Sequence, residues 1–559
     1  MLLADYVAQL LSDNGIKLVF VLQGGGIFRL IDSVSNNLEL TYFCNQHEQA
    51  SAMAADGYAR SSNSIGCVMS TSGPGATNLL TGVSSAYYDS VPMLVITGQV
   101  SSYKLKGDTG VRIMDSQETD VVSVFKAVTK YCSLLTDPLN IRYELEKCIF
   151  LAQHGRPGPT LLDLPDDYQR MGIDTDGLRS FYDSEEFLTY KDAGVIEEKA
   201  IQDTINLIEQ SQRPIIIAGW GMHAAKAEKE FLTFVGQTGI PVVCTYGAND
   251  LLPTISSGKF GVIGMNGTYR GNAAVRQSDL IIIMGARLDR HTAMGAPDTF
   301  EEDKKKVIID IDENEIKYFE KSTRADISIC GNLKEVLRKL CRYGSRADLK
   351  EKNWKLQSSD EKTQVSKYVR DIFEVISRCL SEEDFCFLDT GCSMVWTEQL
   401  LTIKKGQRLF SAFNNTPMGW SLPAAIGAAV STGRRVISIN GDGGFQMNMQ
   451  ELSTVVRNNL KIKIIIFSNQ GYGMIQRTQD AYLNGKYEAT DISTGLAFPD
   501  FGKIMRSYDI PVEEIFEGED FEERITKIIK SDGYGCVVVH VPIDAKFDSF
   551  SRQLYMNGR

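Results

Sequence analysis

The sequence predicts an α/β protein built from three doubly wound domains, each with a parallel sheet. Three observations carry that prediction. Short apolar runs rich in β-branched residues recur along the chain, as strands buried on both faces require. Helical patterns fill the intervals, which is the signature of a parallel sheet with helices on both sides. The length, 559 residues, exceeds one hydrophobic core and suits about three domains of roughly 150–200 residues.

The runs, in order, are CVMSTSG (67–73), MLVITG (93–98), TLLDLP (160–165), PIIIAG (214–219), LIIIMGA (280–286), VIIDID (307–312), VISIN (436–440) and IIIFSN (464–469). Two polar stretches, 171–194 and 344–364, interrupt the rhythm and read as linkers or surface helices. They divide the chain into residues 1–170, 190–343 and 365–545. The first twenty residues form an amphipathic helix broken by Asp5 and Asp13, not a signal peptide.

Bulk numbers exclude several classes. Composition is that of a globular chain, 43% apolar and 23% charged, and the net charge is −12 with both signs interspersed. No basic stripe suits a nucleic acid, and no run reaches the ~18 apolar residues of a membrane span. Eleven cysteines, without a C-x-x-C pair, fit reduced thiols and a cytoplasmic location rather than disulfides or zinc.

The stretch with the most chemical content is INGDGGFQMNMQEL, 439–452. A buried strand runs into Gly441-Asp442-Gly443-Gly444 and then a helix. Glycines there allow close backbone approach, and a helix N-terminus suits a phosphate. Asp442 would repel that phosphate unless a cation stood between them. Twenty-seven positions later the next buried strand ends at Asn469. Both residues therefore fall at C-terminal strand ends, where open α/β sheets bind ligands. A carboxylate, an amide oxygen, a backbone carbonyl and phosphate oxygens form a set suited to Mg²⁺. The structural alternative is that Asp442 caps the helix and Asn469 shapes a turn.

With the metal pair in place, GDGGFQMNMQEL…FSNQGYG resembles the thiamine diphosphate motif, whose usual N-N ending is here Asn469-Gln470. CNQHEQASAMAADGYAR, TSGPGATN, AYYDSVPMLVITGQV and HGRPGPTLLDLPDD in the first domain are similar to the acetohydroxyacid (acetolactate) synthase branch. The resemblance covers nearly the whole chain. It implies a pyrimidine-binding domain, a middle domain and a diphosphate-binding domain, and a homodimer or homotetramer with active sites between subunits. It implies Mg²⁺ on Asp442, Asn469 and the Gly471 carbonyl. Glu48, in QHEQ, would exchange a proton with the cofactor's aminopyrimidine, a general acid–base role. Its structural alternative is a first-turn glutamate favoured by the helix dipole. Met418, in NTPMGWSLPAAIGA, would be the apolar wedge that bends the cofactor, and Gln117, in DSQETD, would face the reacting centre. Cofactor contacts carry over to Gly24, Gly25, Gly73, Asn78, Gly391, Cys392, Ser393, Gly441, Gly443, Gly444, Gly473 and Met474. Cys392-Ser393 stand where the family has Gln-His. His47 reads as a positioning residue, and Lys130 as a solvated element end.

The middle domain adds GWGMHAA, GMNGT, GARLDRH and VIIDIDENEI. These resemble the branch's FAD-binding domain and imply FAD contacts at Gly219, Gly221, Met265, Gly267, Thr268, Arg287, Asp289, Asp310 and Asp326. Arg287 and Asp289 could instead form a structural ion pair. The implied reaction is a carboligation: pyruvate is decarboxylated and its two-carbon unit joins a carbonyl acceptor. FAD-dependent pyruvate oxidase and a catalytically silent regulatory protein are the competing classes. In GMIQRTQD (473–480) Thr478 stands where the family has a tryptophan, and Gln476 and its neighbours add polar groups. The stretch is also similar to the yersiniose-type carboligases of bacterial surface-polysaccharide pathways. A nucleotide-linked keto-deoxysugar is therefore the expected acceptor, contacted by Gln476 and Thr478, with pyruvate as the alternative.

Overall fold

The computed structural model describes residues 1–190, 196–293, 300, 301, 303–344, 352, 354–356, 365–545 and 547. Eighteen strands among them form three six-stranded parallel sheets. The first contains β1 (Leu18–Leu22), β2 (Thr41–Cys44), β3 (Gly66–Ser70), β4 (Met93–Gln99), β5 (Tyr131–Leu134) and β6 (Pro159–Pro165). The second contains β7 (Pro214–Ala218), β8 (Val242–Cys244), β9 (Lys259–Val262), β10 (Leu280–Met284), β11 (Lys305–Asp310) and β12 (Ile327–Cys330). The third contains β13 (Phe385–Leu388), β14 (Arg408–Phe410), β15 (Val436–Gly441), β16 (Ile462–Ser468), β17 (Val512–Ile515) and β18 (Gly535–His540).

The outer two sheets share one order, β2-β1-β3-β4-β6-β5 and β14-β13-β15-β16-β18-β17. The middle sheet runs β12-β11-β10-β7-β8-β9. The direction of winding reverses between β1 and β3, β7 and β10, and β13 and β15, and in the outer sheets the last two strands are also exchanged at one edge. Loops leaving the two strands at a reversal diverge to opposite faces and open a crevice at their C-terminal ends. Continuous burial drives the strands: every residue of β3, β4, β7, β10 and β16 is buried, as side chains covered on both faces demand.

The outer domains meet through two helices, Glu48–Ser62 and Ser421–Thr432, whose backbones touch. A Cβ on Gly57 would lie 2.1 Å from the Ala424 carbonyl oxygen, and one on Gly427 would lie 1.9 Å from that of Ala54. Beside this contact Arg60 is buried between Asp56 (2.7 Å) and Asp89 (2.8 Å) and donates to the Ser411 carbonyl at 3.0 Å.

The stretch 171–190, expected as a linker, packs on the first domain. Phe181 is buried among Tyr143, Phe150 and Phe187, and its N–H donates to Glu146. Apolar residues spaced among acids hid this in the sequence. Most of the second polar stretch, 344–364, lies outside the described residues. Trp354 within it packs edge-on against Phe260 and donates to the Pro214 carbonyl. No helix among the described residues is long and apolar enough to cross a membrane, and all eleven cysteines are free.

Candidate active site

The first domain gathers one group of expected residues at its reversal. Glu48 opens the helix after β2, where the dipole favours a carboxylate, and is buried. His47 caps that helix, its Nδ1 accepting from Gln49 N–H at 3.1 Å. Asn78 Nδ2 donates to Glu48 Oε2 at 3.0 Å. Gly75 must be glycine, since a Cβ there would lie 2.6 Å from Thr71 Cγ2 and 3.4 Å from Glu48 Oε1. Gln117 has a left-handed backbone, φ +67°, and packs on Gly73. Gln99, buried, braces that loop by donating to the Thr119 carbonyl and to Asp163 (both 2.8 Å). Gly24 lies against Thr71, joining the loops after β1 and β3, whereas Gly25 faces open space. Lys130 is not a solvated end. Its Nζ donates to the Leu151 and His154 carbonyls that close helix Ile141–Gln153, and burial brings its pKa down to about 8.

The third domain gathers the second group. Strands β15 and β16 pair in parallel, so Asp442 and Asn469 leave neighbouring strand ends. Asp442 Oδ2 accepts from Asn469 N–H (2.9 Å), Gln470 N–H (2.6 Å) and Ser468 Oγ (3.3 Å), and Oδ1 accepts from Gly443 N–H (2.8 Å). Burial pushes its pKa up to about 6 against the pull of those backbone N–H groups. The Gly443 N–H, expected to meet a phosphate, is taken by Asp442. Asn469 Oδ1 accepts from Gly471 N–H at 3.2 Å. The glycines serve the protein's own packing as well: a Cβ on Gly443 would lie 2.4 Å from the Tyr472 ring, and one on Gly444 2.6 Å from Asp389 Oδ2. Two further helices begin beside this loop without a side-chain cap, Cys392–Leu400 after Gly391 and Gly473–Leu483. Gly441 is 3.9 Å, measured from its Cβ position, from Ser393 Oγ, and Gly473 is 3.5 Å likewise from Cys392 Sγ. Their uncapped N–H groups and dipoles suit an anion.

A cleft with a cavity volume of about 170 Å³ opens at the β7/β10 reversal of the middle domain, walled also by residues of the outer two domains. Gly221, Arg287, Asp289 and Asp310 line it, together with Arg156, Tyr246 and Asn414. Gly219 lies beneath, tight against Gly285 and Ala286. Burial pushes Asp310 up to about 6. Arg287 and Asp289 do pair, at 3.3 Å, and Arg287 also reaches Asn414. Met265, Gly267 and Thr268 form the turn after β9. Thr268 caps the next helix through Gly271 N–H, and Gly267 allows a tight turn over Val262. Asp326 is elsewhere. It precedes β12 at the opposite end of the sheet, pairing with Lys305 (2.7 Å) and accepting from Lys306 N–H. Its expected role toward a cofactor is withdrawn.

Sequence comparison agrees with this arrangement. Profiles described as the N-terminal TPP binding, central and C-terminal TPP binding domains of thiamine pyrophosphate enzymes match residues 1–124, 201–340 and 389–541. A probable acetolactate synthase large subunit of Methanocaldococcus jannaschii is 32% identical over 97% of this chain and 92% of its own length. The acetolactate synthase large subunit of Cyanidium caldarium is 31% identical over 94% and 90%, and acetolactate synthase 1 of rice 31% over 96% and 84%.

The chain belongs to the thiamine pyrophosphate enzymes. Within them it is acetolactate synthase-like, a C–C bond-forming enzyme whose cofactor is thiamine diphosphate, the same compound as thiamine pyrophosphate. The residues fit that cofactor: glycine-lined loops and uncapped helix starts suit its diphosphate, and Glu48 with Asn78 offers a carboxyl and an amide. The loop Asp389–Met394, DTGCSM, is expected from the sequence to contact the diphosphate, but its first side chain is given no role there. Asp389, after β13, is fully buried, accepts from Gly419 and Thr390 N–H groups, and is pushed by burial up to about 7.

Of the two side chains expected at the acceptor, Gln476 is turned into the protein and Thr478 is exposed. Gln476 is buried and donates to Asp491 at 3.1 Å. Gln479 holds Glu488 and Thr490, and Arg477 donates to the Phe547 carbonyl. Thr478 is exposed, bonding back to the Met474 carbonyl of its own helix. Gln476, Arg477 and Gln479 thus fasten residues 488–491 and Phe547.

Proposed function

We propose that the enzyme decarboxylates pyruvate and joins the two-carbon unit to a second pyruvate, forming acetolactate and CO2. The carrying observation is that Glu48 and the Asp442–Asn469 pair each stand beyond the C-terminal ends of parallel strands, in geometries suited to proton exchange and cation binding. Thiamine diphosphate supplies the electron sink for the decarboxylation. Glu48 holds and returns a proton at the aminopyrimidine nitrogen, with Asn78 fixing its carboxylate. Asp442 Oδ1, Asn469 Oδ1 and the Gly471 carbonyl offer oxygens to Mg²⁺, the cation preferred by such a set. Met418 supplies apolar bulk beside Gly443 and Tyr472.

FAD would be held in the middle-domain cleft, lined by Gly221, Arg287, Asp289 and Asp310, while Gly219 and Gly221 let the loops after β7 and β10 pack closely. The flavin serves structure rather than electron transfer in this reading. Two copies complete each site. Exposed apolar side chains support this, Tyr42, Ile113 and Met114 on the first domain and Ile475, Tyr482 and Leu483 on the helix after the metal loop.

Pyruvate is preferred as acceptor because the polar groups of 476–479 are occupied within the protein, and because the relatives quoted carry the acetolactate synthase description. A keto-deoxysugar is the second reading, favoured by the exposed Thr478, which leaves the place of an indole open. Mass spectrometry of products from pyruvate, with and without a CDP-linked 4-keto-deoxysugar, decides between them. Acetolactate undiminished by the sugar is expected. A branched sugar product formed in preference overturns the acceptor, oxygen uptake matching CO2 release selects an oxidase, and no CO2 release refutes the function.

A further inference from the structure

The peptide that follows Met418 is gripped from both sides. Gly419 has φ +86°, in the left-handed region. Its N–H donates to both oxygens of Asp389, at 2.9 and 3.1 Å, and its carbonyl accepts from Asn448 Nδ2 at 2.8 Å. A Cβ at Gly419 would lie 2.6 Å from Met447 Cβ, so this position has no room for a side chain. Met418 Cε meanwhile comes within 3.1 Å of where a Cβ on Gly443 would stand, beside the Tyr472 ring. Asp389 arrives from β13, a different strand from the one that carries Asp442, and Gly444 leaves the space it occupies.

We propose that Asp389 is the positioning residue for Met418, acting through the Gly419 N–H, with Asn448 holding the carbonyl of the same glycine. This rests on the reading of Met418 as the wedge that shapes the bound cofactor. The physical case is one of cost and return. A fully buried carboxylate is unfavourable unless its hydrogen bonds are made. Asp389 spends them on the backbone at Thr390 and Gly419. What such bonds secure is a fixed loop, and the side chain fixed by that loop is Met418. Small displacements of a positioning group have large kinetic consequences, about 10²-fold for 1 Å.

The test is a double-mutant cycle with a readout independent of turnover. In Asp389→Asn, hydrogen–deuterium exchange of the cofactor-free protein should show the Gly419 amide exchanging at least about tenfold faster, with the thermal transition still cooperative. Turnover should fall roughly 10- to 100-fold, while the cofactor dissociation constant, read by tryptophan fluorescence, stays within about threefold. Met418→Ala should lose a comparable factor, and the double variant should be no worse than the poorer single one, as residues acting in series require. Multiplying losses, or an unchanged Gly419 exchange rate, overturn the proposal. Should Asp389→Asn fail to fold, Asn448→Ala takes its place in the same cycle with the same expectations. If Met418→Ala alone leaves turnover intact, the wedge reading itself fails, and the proposal with it.

Discussion

Replacing Gly427 with alanine tests the junction that ties the Glu48 helix to the diphosphate-binding domain. The added Cβ would stand 1.9 Å from the Ala54 carbonyl oxygen and 2.8 Å from Tyr58 N. Both are backbone atoms of the Glu48–Ser62 helix and have no rotamer by which to escape. Restoring even the closest contact that real side chains make requires the helices to part by about 1 Å. Overpacking of this kind costs about 1–3 kcal/mol, and here the upper end applies because both walls are main chain. The displaced helix carries Glu48, so turnover should also fall, by up to about 10²-fold for a 1 Å shift. Gly236 provides the control. It lies inside helix Glu228–Thr238 with nothing within 4 Å of its Cβ position, so Gly236→Ala should stabilise by about 0.5–1 kcal/mol through helix propensity alone. Urea unfolding followed by circular dichroism, with steady-state turnover beside it, measures both. A Gly427→Ala protein as stable and as active as the parent would refute the contact.

Glu48→Gln keeps shape and volume and removes the exchangeable proton, so decarboxylation should drop about 10²–10⁴-fold with cofactor still bound; near-normal turnover would refute the acid–base role. Asp442 is held up to about 6, and only its ionised form binds a cation. The metal's apparent affinity should therefore weaken about tenfold between pH 7 and 5, with Asp442→Ala abolishing cation-dependent retention of thiamine diphosphate; calorimetry showing a flat profile would remove Asp442 from the ligand set. The sign reverses for the metal-free protein. A carboxyl whose folded pKa lies above its ordinary value of about 4 contributes stability that is lost as pH rises from about 4 through about 6. Purified protein should carry FAD or take it up, judged by its absorbance, and anaerobic pyruvate should not bleach it at the turnover rate.

All eight apolar runs read from the sequence are strands, because burial on both faces leaves a continuous β-branched record. The strands that escaped are mostly short or at edges. β2 is largely exposed, β5 half-buried, and β8 and β14 only three residues long. β2 and β5 carry little apolar signal because one side faces water or a neighbouring loop, whereas β8 and β14 are buried but too short to stand out. β1 and β18, LVFVL and GCVVVH, are buried and were legible in principle. The site was legible where chemistry rides on strand ends: Asp442 and Asn469 each follow a buried run, so topology places them together. Asp389 follows a buried run too, yet its partners, Gly419 and Gly444, are 30 and 55 positions away, and nothing local announces them.

The partners of the 476–479 side chains are hidden in the sequence for a related reason. A polar side chain on a helix advertises hydrogen-bonding capacity but not the direction in which it is used. Gln476 and Gln479 use theirs on residues 488–491, which lie beyond the helix end and fold back over the loop after β16 through the Gly471–Asp491 bridge and the bond from Tyr472 N–H to the Thr490 carbonyl. That fold-back gives these polar groups a structural use independent of any ligand: they hold the loop that braces the turn carrying Asn469 and Gly471. Removing such a group frees residues 488–491 and loosens the turn that carries Asn469 and Gly471. Sensitivity to mutation at Gln476 would therefore not identify an acceptor contact, and the acceptor has to be read from products.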